Sequence, residues 1–289
     1  YSGRVRSMPR TMYLSGSKNG KSTISQTYPP NVFYILLTTM SSIQTSELAE
    51  TAKNPDPFFN LSSIALATTS PSTIYFILSP DGRYKESYQA VYETGLNNLI
   101  DIFAKKGVSP HWFFISSTSV YGQTEGEWVD EESIAEPENI TSQYIRQAEQ
   151  QLMDLNPQNI VVRFSGIYGP GREYLLRMAK QQTAIQKIPP YYTNRIHEQD
   201  CIGVLVFLLE QSLAGVAMDQ CYLASDDNPA SMWDVISWLT EHMNCPAPKV
   251  KVNDKDVIMN KRCNNTRLKS LGYQFQYADF KAGYIELIK

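Results

Sequence analysis

Residues 112–122 read Trp-Phe-Phe-Ile-Ser-Ser-Thr-Ser-Val-Tyr-Gly, and this stretch decides the fold. It opens with a continuous apolar run at 112–115, which is typical of a strand covered on both faces in a parallel sheet. Four hydroxyl side chains follow at once, from Ser116 to Ser119. Because open α/β sheets bind ligands outside the carboxyl ends of their strands, these hydroxyls are candidate ligand contacts. The alternative is a strand that simply runs into a Ser/Thr turn.

Other apolar segments predict the strands that would surround this one. They lie at 32–37, 73–78 and 160–164 and are rich in β-branched and aromatic residues. Apolar residues at helical spacing predict helices at 84–106 and 142–155. This alternation of strand and helix predicts an α/β fold with a doubly wound parallel sheet.

A sharp turn after the 160–164 strand predicts a second, smaller unit. The residues that mark it are Gly166, Gly169, Pro170 and Gly171, which favour tight backbone turns. The sequence therefore divides into a larger α/β domain and a small C-terminal lobe. The predicted ranges are 1–165 with 198–215 for the domain, and 166–197 with 216–289 for the lobe.

After residue 197, shorter patterns indicate further elements in both predicted units. Residues 221–224 are apolar and predict a short strand, and 202–213 predict an amphipathic helix. Ser231 stands before an apolar helical pattern that extends to residue 243, as an N-cap residue would. Gly272 is a natural stop for the short helical pattern that precedes it.

The first 31 residues do not read as the start of a dinucleotide-binding domain. Such a domain opens with an apolar strand, Gly-x-Gly-x-x-Gly and a helix. Here only Gly3 can be one of the three glycines, and Tyr1 and Arg6 would occupy the other two places. The first acidic residue of the chain is Glu47, so the carboxylate that holds a ribose hydroxyl is missing. Dinucleotide binding is therefore predicted to be weak or absent, with Gly3 and Arg4 as the remaining candidates for a phosphate contact.

A second phosphate motif is suggested by residues 15–22, Ser-Gly-Ser-Lys-Asn-Gly-Lys-Ser. Its tail matches the Gly-Lys-Ser of a phosphate-binding loop. Its first glycine is replaced by Ser15, and residues 11–14 are a poor strand. These departures favour a polar loop over a nucleotide hydrolase.

Several motifs in a fixed order resemble the extended short-chain dehydrogenase/reductase family, in its NAD-dependent epimerase/dehydratase-like branch. Ser-Ser-x-x-Val-Tyr-Gly at 116–122 is similar to the strand-five motif of that family, and Ser-Pro-Asp-Gly at 79–82 to the end of its strand four. Ile-Val-Val-Arg-Phe-Ser-Gly-Ile-Tyr-Gly-Pro-Gly-Arg at 160–172 resembles its strand six. Segments 194–200 and 260–273 resemble the return to the sheet and the C-terminal lobe. The resemblance extends from about residue 32 to the end. It implies a Rossmann-like fold in which the larger domain binds a nucleotide and the small C-terminal lobe binds the substrate.

The resemblance also implies a site. Ser117, four residues before Tyr121, takes the place of the catalytic serine, at the rim of a cleft expected to contain Tyr121 as well. The resemblance implies NAD or NADP as cofactor and a nucleotide-sugar or other small-molecule substrate, and it allows a homodimer. The residues expected to contact the cofactor, besides Gly3 and Arg4, are Ser79, Ser116, Phe164 and Ser165.

The family's proton relay is a Tyr with a Lys four residues later, because a nearby ammonium lowers the phenol pKa from its usual value of about 10. In this chain Tyr144 is the Tyr available for that role, and Ala148 stands four residues after it. If residues 148–152 are aligned with the family's helix instead, Thr141 takes the position of the family's Tyr and Ile145 takes the position of its Lys. Neither alignment provides a lysine, and Arg146 is a poor replacement because a guanidinium stays protonated.

Composition excludes several other classes. The formal net charge is −3 over 289 residues, which gives no basic surface for nucleic acid or for a membrane. Four scattered cysteines and three histidines make a metal site improbable, and no apolar run is long enough to span a membrane. A reducing compartment, the cytoplasm or an organelle matrix, is expected.

Two functions stay open on the sequence alone. One is an NAD(P)-binding epimerase/dehydratase-like enzyme with a degraded cofactor loop and with Ser117 and Tyr144 as its catalytic residues. The other is a non-catalytic protein, a pseudoenzyme that binds a ligand, regulates or assembles. The altered glycine loop and the missing lysine favour the second, since a fold by itself does not give a function.

Overall fold

A computed structural model describes residues 12–15, 21–24, 32–36, 72–80, 82–251 and 260–288 of the chain. Its strands, numbered β1 to β15 in chain order, are Met12–Ser15, Lys21–Ile24, Val32–Leu36, Thr73–Ile77, His111–Ser117, Glu127–Val129, Ile160–Phe164, Gly166–Tyr168, Ala184–Gln186, Tyr192–Thr193, Arg195–His197, Cys221–Ala224, Ala230–Ser231, Lys249–Lys251 and Lys261–Cys263. Its helices, numbered α1 to α8, are Lys85–Gln89, Leu96–Lys105, Ile140–Leu155, Tyr174–Lys180, Glu198–Leu213, Met232–His242, Thr266–Ser270 and Phe280–Leu287. A π-helical segment, Ala90–Gly95, joins α1 to α2, and a 3-10 turn, Thr118–Val120, follows β5.

The main sheet has five parallel strands in the order β12-β7-β5-β4-β3. The four strands predicted at 32–37, 73–78, 112–115 and 160–164 are all present in it, and β5 extends further than predicted, to Ser117. The predicted doubly wound parallel sheet is therefore confirmed. The strand β12, which the sequence assigns to the lobe, is instead the last strand of this sheet.

Alternating side chains of the central strands build two apolar layers, one on each face of the sheet. Trp112 and Phe114 of β5 lie in the layer that α1, α2 and α3 cover, and both are buried. Phe113, between them, lies in the opposite layer, which α5 and α7 cover. Both faces are thus closed, which explains why residues 112–115 of β5 are apolar without interruption.

Helix α5 packs on the main sheet, as the sequence predicts, although it begins four residues earlier than expected. Near its start, the Asp200 carboxylate accepts hydrogen bonds from the Tyr273 hydroxyl at 2.9 Å and from the Gln276 and Tyr277 N–H groups at 2.8 and 2.9 Å. This buried carboxylate fixes the C-terminal segment onto the sheet. Ser231 is the N-cap of α6, as predicted, and its Oγ accepts from the Asp234 N–H at 3.1 Å.

Two described stretches, Met12–Ser15 and Lys21–Ile24, are strands, which neither expectation for this region included. Lys21–Ile24 is a strand that pairs antiparallel with Met12–Ser15. A phosphate-binding loop places its Lys-Ser at the start of a helix, so the strand at Lys21–Ile24 excludes the phosphate-loop interpretation. The described helices include none that is long and apolar enough to cross a membrane.

The outer side of β12, the last strand of the main sheet, is covered by the buried carboxylate of Glu131. Glu131 Oε1 accepts a hydrogen bond of 2.7 Å from the outward N–H of Leu223 in β12, and Arg267 donates to the carbonyl oxygen of Cys221 at 3.3 Å. Burial raises the pKa of Glu131, although the Leu223 N–H partly offsets this. These contacts satisfy edge groups that would otherwise be free to pair with another strand.

We expect Glu131→Met to lower the free energy of unfolding by about 1–3 kcal/mol, because it leaves the buried Leu223 N–H without an acceptor. Glu131→Gln keeps an oxygen in the same place and is the matched control, with a smaller expected loss. Urea unfolding measures both. Equal stability of Glu131→Met and the parent would contradict the assignment of Glu131 as an edge cap.

Candidate functional site

Three adjacent parallel strands end at the same edge of the main sheet, and the predicted site residues follow them. Ser117 is the last residue of β5 and is directly paired with Phe164, the last residue of β7. Ser79 is exposed two residues after β4 ends, and Ser165 is buried just after β7. The tertiary structure therefore brings Ser117, Phe164 and Ser165 to one edge.

Ser117 is half-buried, and its Oγ accepts a hydrogen bond from the Ser119 N–H at 3.1 Å. This is the Ser/Thr turn that the sequence allowed as an alternative, and it caps the 3-10 turn. The turn uses the acceptor side of the hydroxyl only, so the hydroxyl proton can still be donated. Ser117 can therefore accept the hydrogen bond of the turn and still donate a hydrogen bond to a ligand.

Ser116 differs from the expectation that it contacts the cofactor. Its side chain lies on the opposite face of β5 from Ser117, where it is buried and donates to Glu149 Oε1 of α3. Glu149 also receives Arg163 in a two-point pair, Nε to Oε1 at 2.9 Å and Nη2 to Oε2 at 2.7 Å. The Ser116 hydroxyl is thus a structural contact between sheet and helix.

Tyr121 was expected at the rim of the cleft, and this expectation is wrong because the side chain has no exposed surface. Its hydroxyl donates to the carbonyl oxygen of Asp130 at 2.7 Å and accepts from Arg163 Nη1 at 2.9 Å. Burial raises the pKa of Tyr121 above its ordinary range. Tyr121 and Ser116 therefore belong to one buried network, and the chain between them, which contains Ser117, is held at both ends.

Tyr144 and Ser117 are associated with different faces of the sheet. Tyr144 is partly buried and packs against the layer that contains Trp112 and Phe114. Ser117 lies four residues after Phe113 in β5, so its side chain is on the same face as Phe113, which is the opposite face of the sheet. The structure does not show the two predicted catalytic residues in contact. The helix α3 contains no lysine that could pair with Tyr144, as the sequence indicates.

In the alternative alignment, the positions of the relay's Tyr and Lys hold Thr141 and Ile145, and both residues have structural roles. The Thr141 hydroxyl donates to Asn139 Oδ1 at 2.8 Å and so takes part in the N-cap of α3. Ile145, in the lysine place, is buried in the apolar layer under the helix. An ammonium at this position would lie in the core.

Two charged residues that sequence reasoning missed lie near this edge. The Asp226 N–H donates to the Arg195 carbonyl oxygen at 2.7 Å, and the Ser165 N–H donates to the Ala224 carbonyl oxygen at 3.0 Å, which joins these segments. Ser165 Oγ, Arg195 Nε and Asp226 Oδ2 are all buried and have no hydrogen-bond partner among the described residues. Burial raises the pKa of Asp226 to about 8, against the opposing effect of Arg195, and burial lowers the pKa of Arg195.

Lys261 is a further residue that the sequence did not single out. It is buried, and its Nζ donates to the carbonyl oxygen of Tyr121 at 3.0 Å, across 140 positions of the chain. Burial lowers the pKa of Lys261. No local pattern could have found it, because the contact exists only after β15 has paired with β6.

A cavity of about 480 Å³ lies elsewhere, beside the edge strand β12. Its charged lining includes Asp130, Glu131, Asp219 and Arg267. Arg267 pairs there with Glu131 and Asp219, at 3.7 Å in both cases, so the charges are largely satisfied within the protein. This cavity contains none of the predicted site residues. The described ranges hold no group of three metal-ligating side chains.

Gly3 and Arg4, predicted as phosphate contacts, lie outside the residues that the structure describes, as do Tyr1, Arg6 and Glu47. The described part of the site is therefore the carboxyl edge of β4, β5 and β7. The order of its strands and the Ser117–Phe164 pairing are the features to compare with known proteins.

The sequence profile of the NAD dependent epimerase/dehydratase family matches residues 63–212, more than half of the chain. The chain belongs to this family. Among curated proteins, none matches the sequence. The family assignment confirms the resemblance that the motifs at 116–122 and 160–172 carry.

Solved structures agree with the family. A protein of Methylobacillus flagellatus assigned to the NAD-dependent epimerases/dehydratases is 30% identical, with a TM-score of 0.62, over 75% of this chain and 76% of that one. A functionally unknown conserved protein from Silicibacter pomeroyi is 28% identical, with a TM-score of 0.61, over 75% and 77% of the two chains. The UDP-glucose 4-epimerase of Thermotoga maritima, solved with UDP-glucose, has a TM-score of 0.63 over 78% and 81%, but at 15% identity it shows a shared fold alone.

Proposed function

We propose that this protein binds NAD or NADP at the carboxyl edge of β4, β5 and β7 and acts on a nucleotide-linked or other small sugar. The observation that carries the proposal is the position of Ser117 at the end of the middle strand, directly beside Phe164 and with its proton free to donate. Parallel sheets bind dinucleotides at this edge. Family membership supports the same assignment.

The described residues fit the nicotinamide half of the cofactor. Ser79 and Ser117 would offer hydroxyls on two adjacent strands, Phe164 would offer an apolar surface, and the unpartnered Ser165 Oγ would gain a partner. Gly3 and Arg4 remain the proposed phosphate contacts. When bound, the nicotinamide ring supplies hydride transfer, whereas Ser117 would hold the reacting oxygen of the substrate through its hydroxyl.

The substrate class follows by analogy with relatives. One neighbour with the same fold is an epimerase solved with UDP-glucose, and another is a protein solved with UDP-glucuronic acid and NAD. We propose that residues 166–197, with the part of 216–289 outside β12, form the side of the site that holds such a sugar.

A specific observation favours a second candidate, in which the protein binds ligand without turnover. The places of the family's proton relay hold Thr141, which serves the helix cap, and Ile145, which is in the core. Tyr144, the other candidate acid/base, lies in α3 and packs against the apolar layer between this helix and the sheet. Without a neighbouring ammonium, a tyrosine stays protonated near neutral pH and is a poor base.

The experiment is a calorimetric titration with NAD(H) and NADP(H), followed by turnover assays with nucleotide sugars. We expect weak binding of at least one dinucleotide, because the sequence lacks the full glycine loop and the carboxylate that holds a ribose hydroxyl. Where turnover is found, Ser117→Ala should lower kcat/KM by about 100-fold or more, as expected for loss of a proton-donating contact, with dinucleotide affinity unchanged. Ser119→Ala is the matched control, because it removes a neighbouring hydroxyl but keeps the N–H that Ser117 accepts.

The outcomes separate the two candidates. Binding with Ser117-dependent turnover supports the enzyme. Binding without turnover supports the non-catalytic protein. No affinity for either dinucleotide would contradict the proposed cofactor site.

A further inference from the structure

The outer face of the β6–β15 pair carries an exposed tryptophan beside an arginine. Arg262 and Trp128 are direct partners across the two parallel strands, so their side chains share one face. Lys261 and Cys263 alternate with Arg262 and are buried on the inner side, where Lys261 reaches Tyr121. Arg262 and Trp128 therefore face away from the turn that contains Ser117.

Arg262 is held in one position by its neighbours. Its Nε donates to the Gly126 carbonyl oxygen at 2.7 Å, and its guanidinium carbon lies 5.1 Å from the Trp128 ring centre and 4.8 Å from that of Tyr192. Gly126 has a φ of +83° and approaches the Tyr192 ring so closely that a Cβ would lie 3.1 Å from it. These contacts orient the guanidinium before any ligand arrives, which a freely moving surface arginine does not achieve.

Two ligand-binding features of this face remain unused. Across the described part of the chain, the Arg262 Nη atoms have no hydrogen-bond or carboxylate partner. Trp128 is 55% exposed although the guanidinium lies over its ring, so much of the indole is open to solvent. The nearby Glu127 carboxylate is occupied within its own loop, where it accepts from the Glu125 N–H at 2.9 Å.

We propose that Trp128 and Arg262 form a binding site for a small phosphate ester that carries a planar aromatic group, such as a nucleoside phosphate. The guanidinium offers two parallel N–H donors, which match the oxygens of a phosphate. The exposed indole offers a surface on which a base can stack. The site is separate from the edge that holds Ser117, so it does not depend on the proposed function.

A protein partner is the rival occupant, because Trp, Tyr and Arg are also frequent at the centres of protein interfaces. The preorganised guanidinium with two free donors favours a compact anion. The mass of the protein in solution distinguishes a protein partner from a small anion, because only a protein partner raises it measurably.

The test uses uridine 5′-monophosphate, with uridine and inorganic phosphate as half-ligands, and follows tryptophan fluorescence and calorimetry. We expect the nucleotide to quench fluorescence and to bind more tightly than either half-ligand. Trp128→Leu should abolish the quenching and weaken binding about 5- to 150-fold, the range for loss of one stacked base. Arg262→Gln should weaken binding at least tenfold, and Arg262→Lys should restore only part of it, since an ammonium cannot form the two-point contact.

Two controls are matched to this site. Lys187→Gln alters another cation that lies 4.9 Å from a tryptophan ring, that of Trp233, and should leave nucleotide binding unchanged. Ser117→Ala should leave it unchanged as well, whatever its effect on turnover. Thermal melting of each variant confirms that it is folded.

The proposal is overturned if no nucleotide binds, if folded Trp128→Leu and Arg262→Gln bind it as the parent does, or if inorganic phosphate binds as tightly as the nucleotide. It is also overturned if Trp128→Leu only converts a dimer to a monomer, which would identify the face as an interface.

Discussion

Glu149→Gln is expected to lower the free energy of unfolding by about 3–5 kcal/mol, because it leaves the buried Arg163 guanidinium without its counter-charge. Glu149 is fully buried, and Arg163 is almost so, with the closest pair of atoms 2.7 Å apart. Burial by itself would lower the pKa of Arg163, but the Glu149 carboxylate raises it above its ordinary value. Urea unfolding of the variant and the parent measures the difference.

Two controls separate the charge effect from packing. Glu149→Met combined with Arg163→Met removes both buried charges, and we expect it to cost less than Glu149→Gln because no buried ion is left unpaired. Arg146, which also pairs with Glu149, is partly exposed and can be hydrated. Lys269→Met breaks an ion pair of 3.0 Å with Asp227 at the surface, and its cost should be at most about 1 kcal/mol. If Glu149→Gln cost no more than the surface variant, the buried pair would not be holding the structure.

The second large effect is a dependence of stability on pH that comes from Asp226. Burial raises its pKa to about 8 in the folded protein, from an ordinary value of 3.8. Between these values the folded protein retains a proton that the unfolded chain has lost. Stability contributed by this group therefore falls as pH rises from about 4 to about 8, by on the order of 5 kcal/mol in total.

The measurement compares the parent with Asp226→Asn at several pH values, because other carboxylates affect both proteins equally. Asparagine keeps the oxygen that accepts from the Asn228 N–H at 3.3 Å but cannot ionise. We expect the variant to gain stability relative to the parent as pH rises, and to be the more stable protein near pH 8. A difference that does not change with pH would show that Asp226 is ionised in the folded protein as it is in water.

The sequence by itself determined the family and the parallel sheet. Continuous apolar strands such as 112–115 are diagnostic because both faces of the sheet are covered, and this property is encoded locally. Ser117 could be placed at a strand end for the same reason. The missing lysine of α3 could also be read directly, since the relay residues are only four positions apart.

Only the tertiary structure decided which polar groups are available. Ser116 and Ser117 are adjacent and chemically identical, but strand alternation turns one hydroxyl towards Glu149 and leaves the other at the ligand edge. Tyr121 resembled a cleft residue until Arg163, 42 positions away, was seen to bond its hydroxyl in the core. Lys261, Asp226 and the Trp128–Arg262 pair join segments whose separation in sequence carries no periodic signal. Burial and partner choice depend on which segments the fold brings together, and that physical information is not present in any one stretch of the chain.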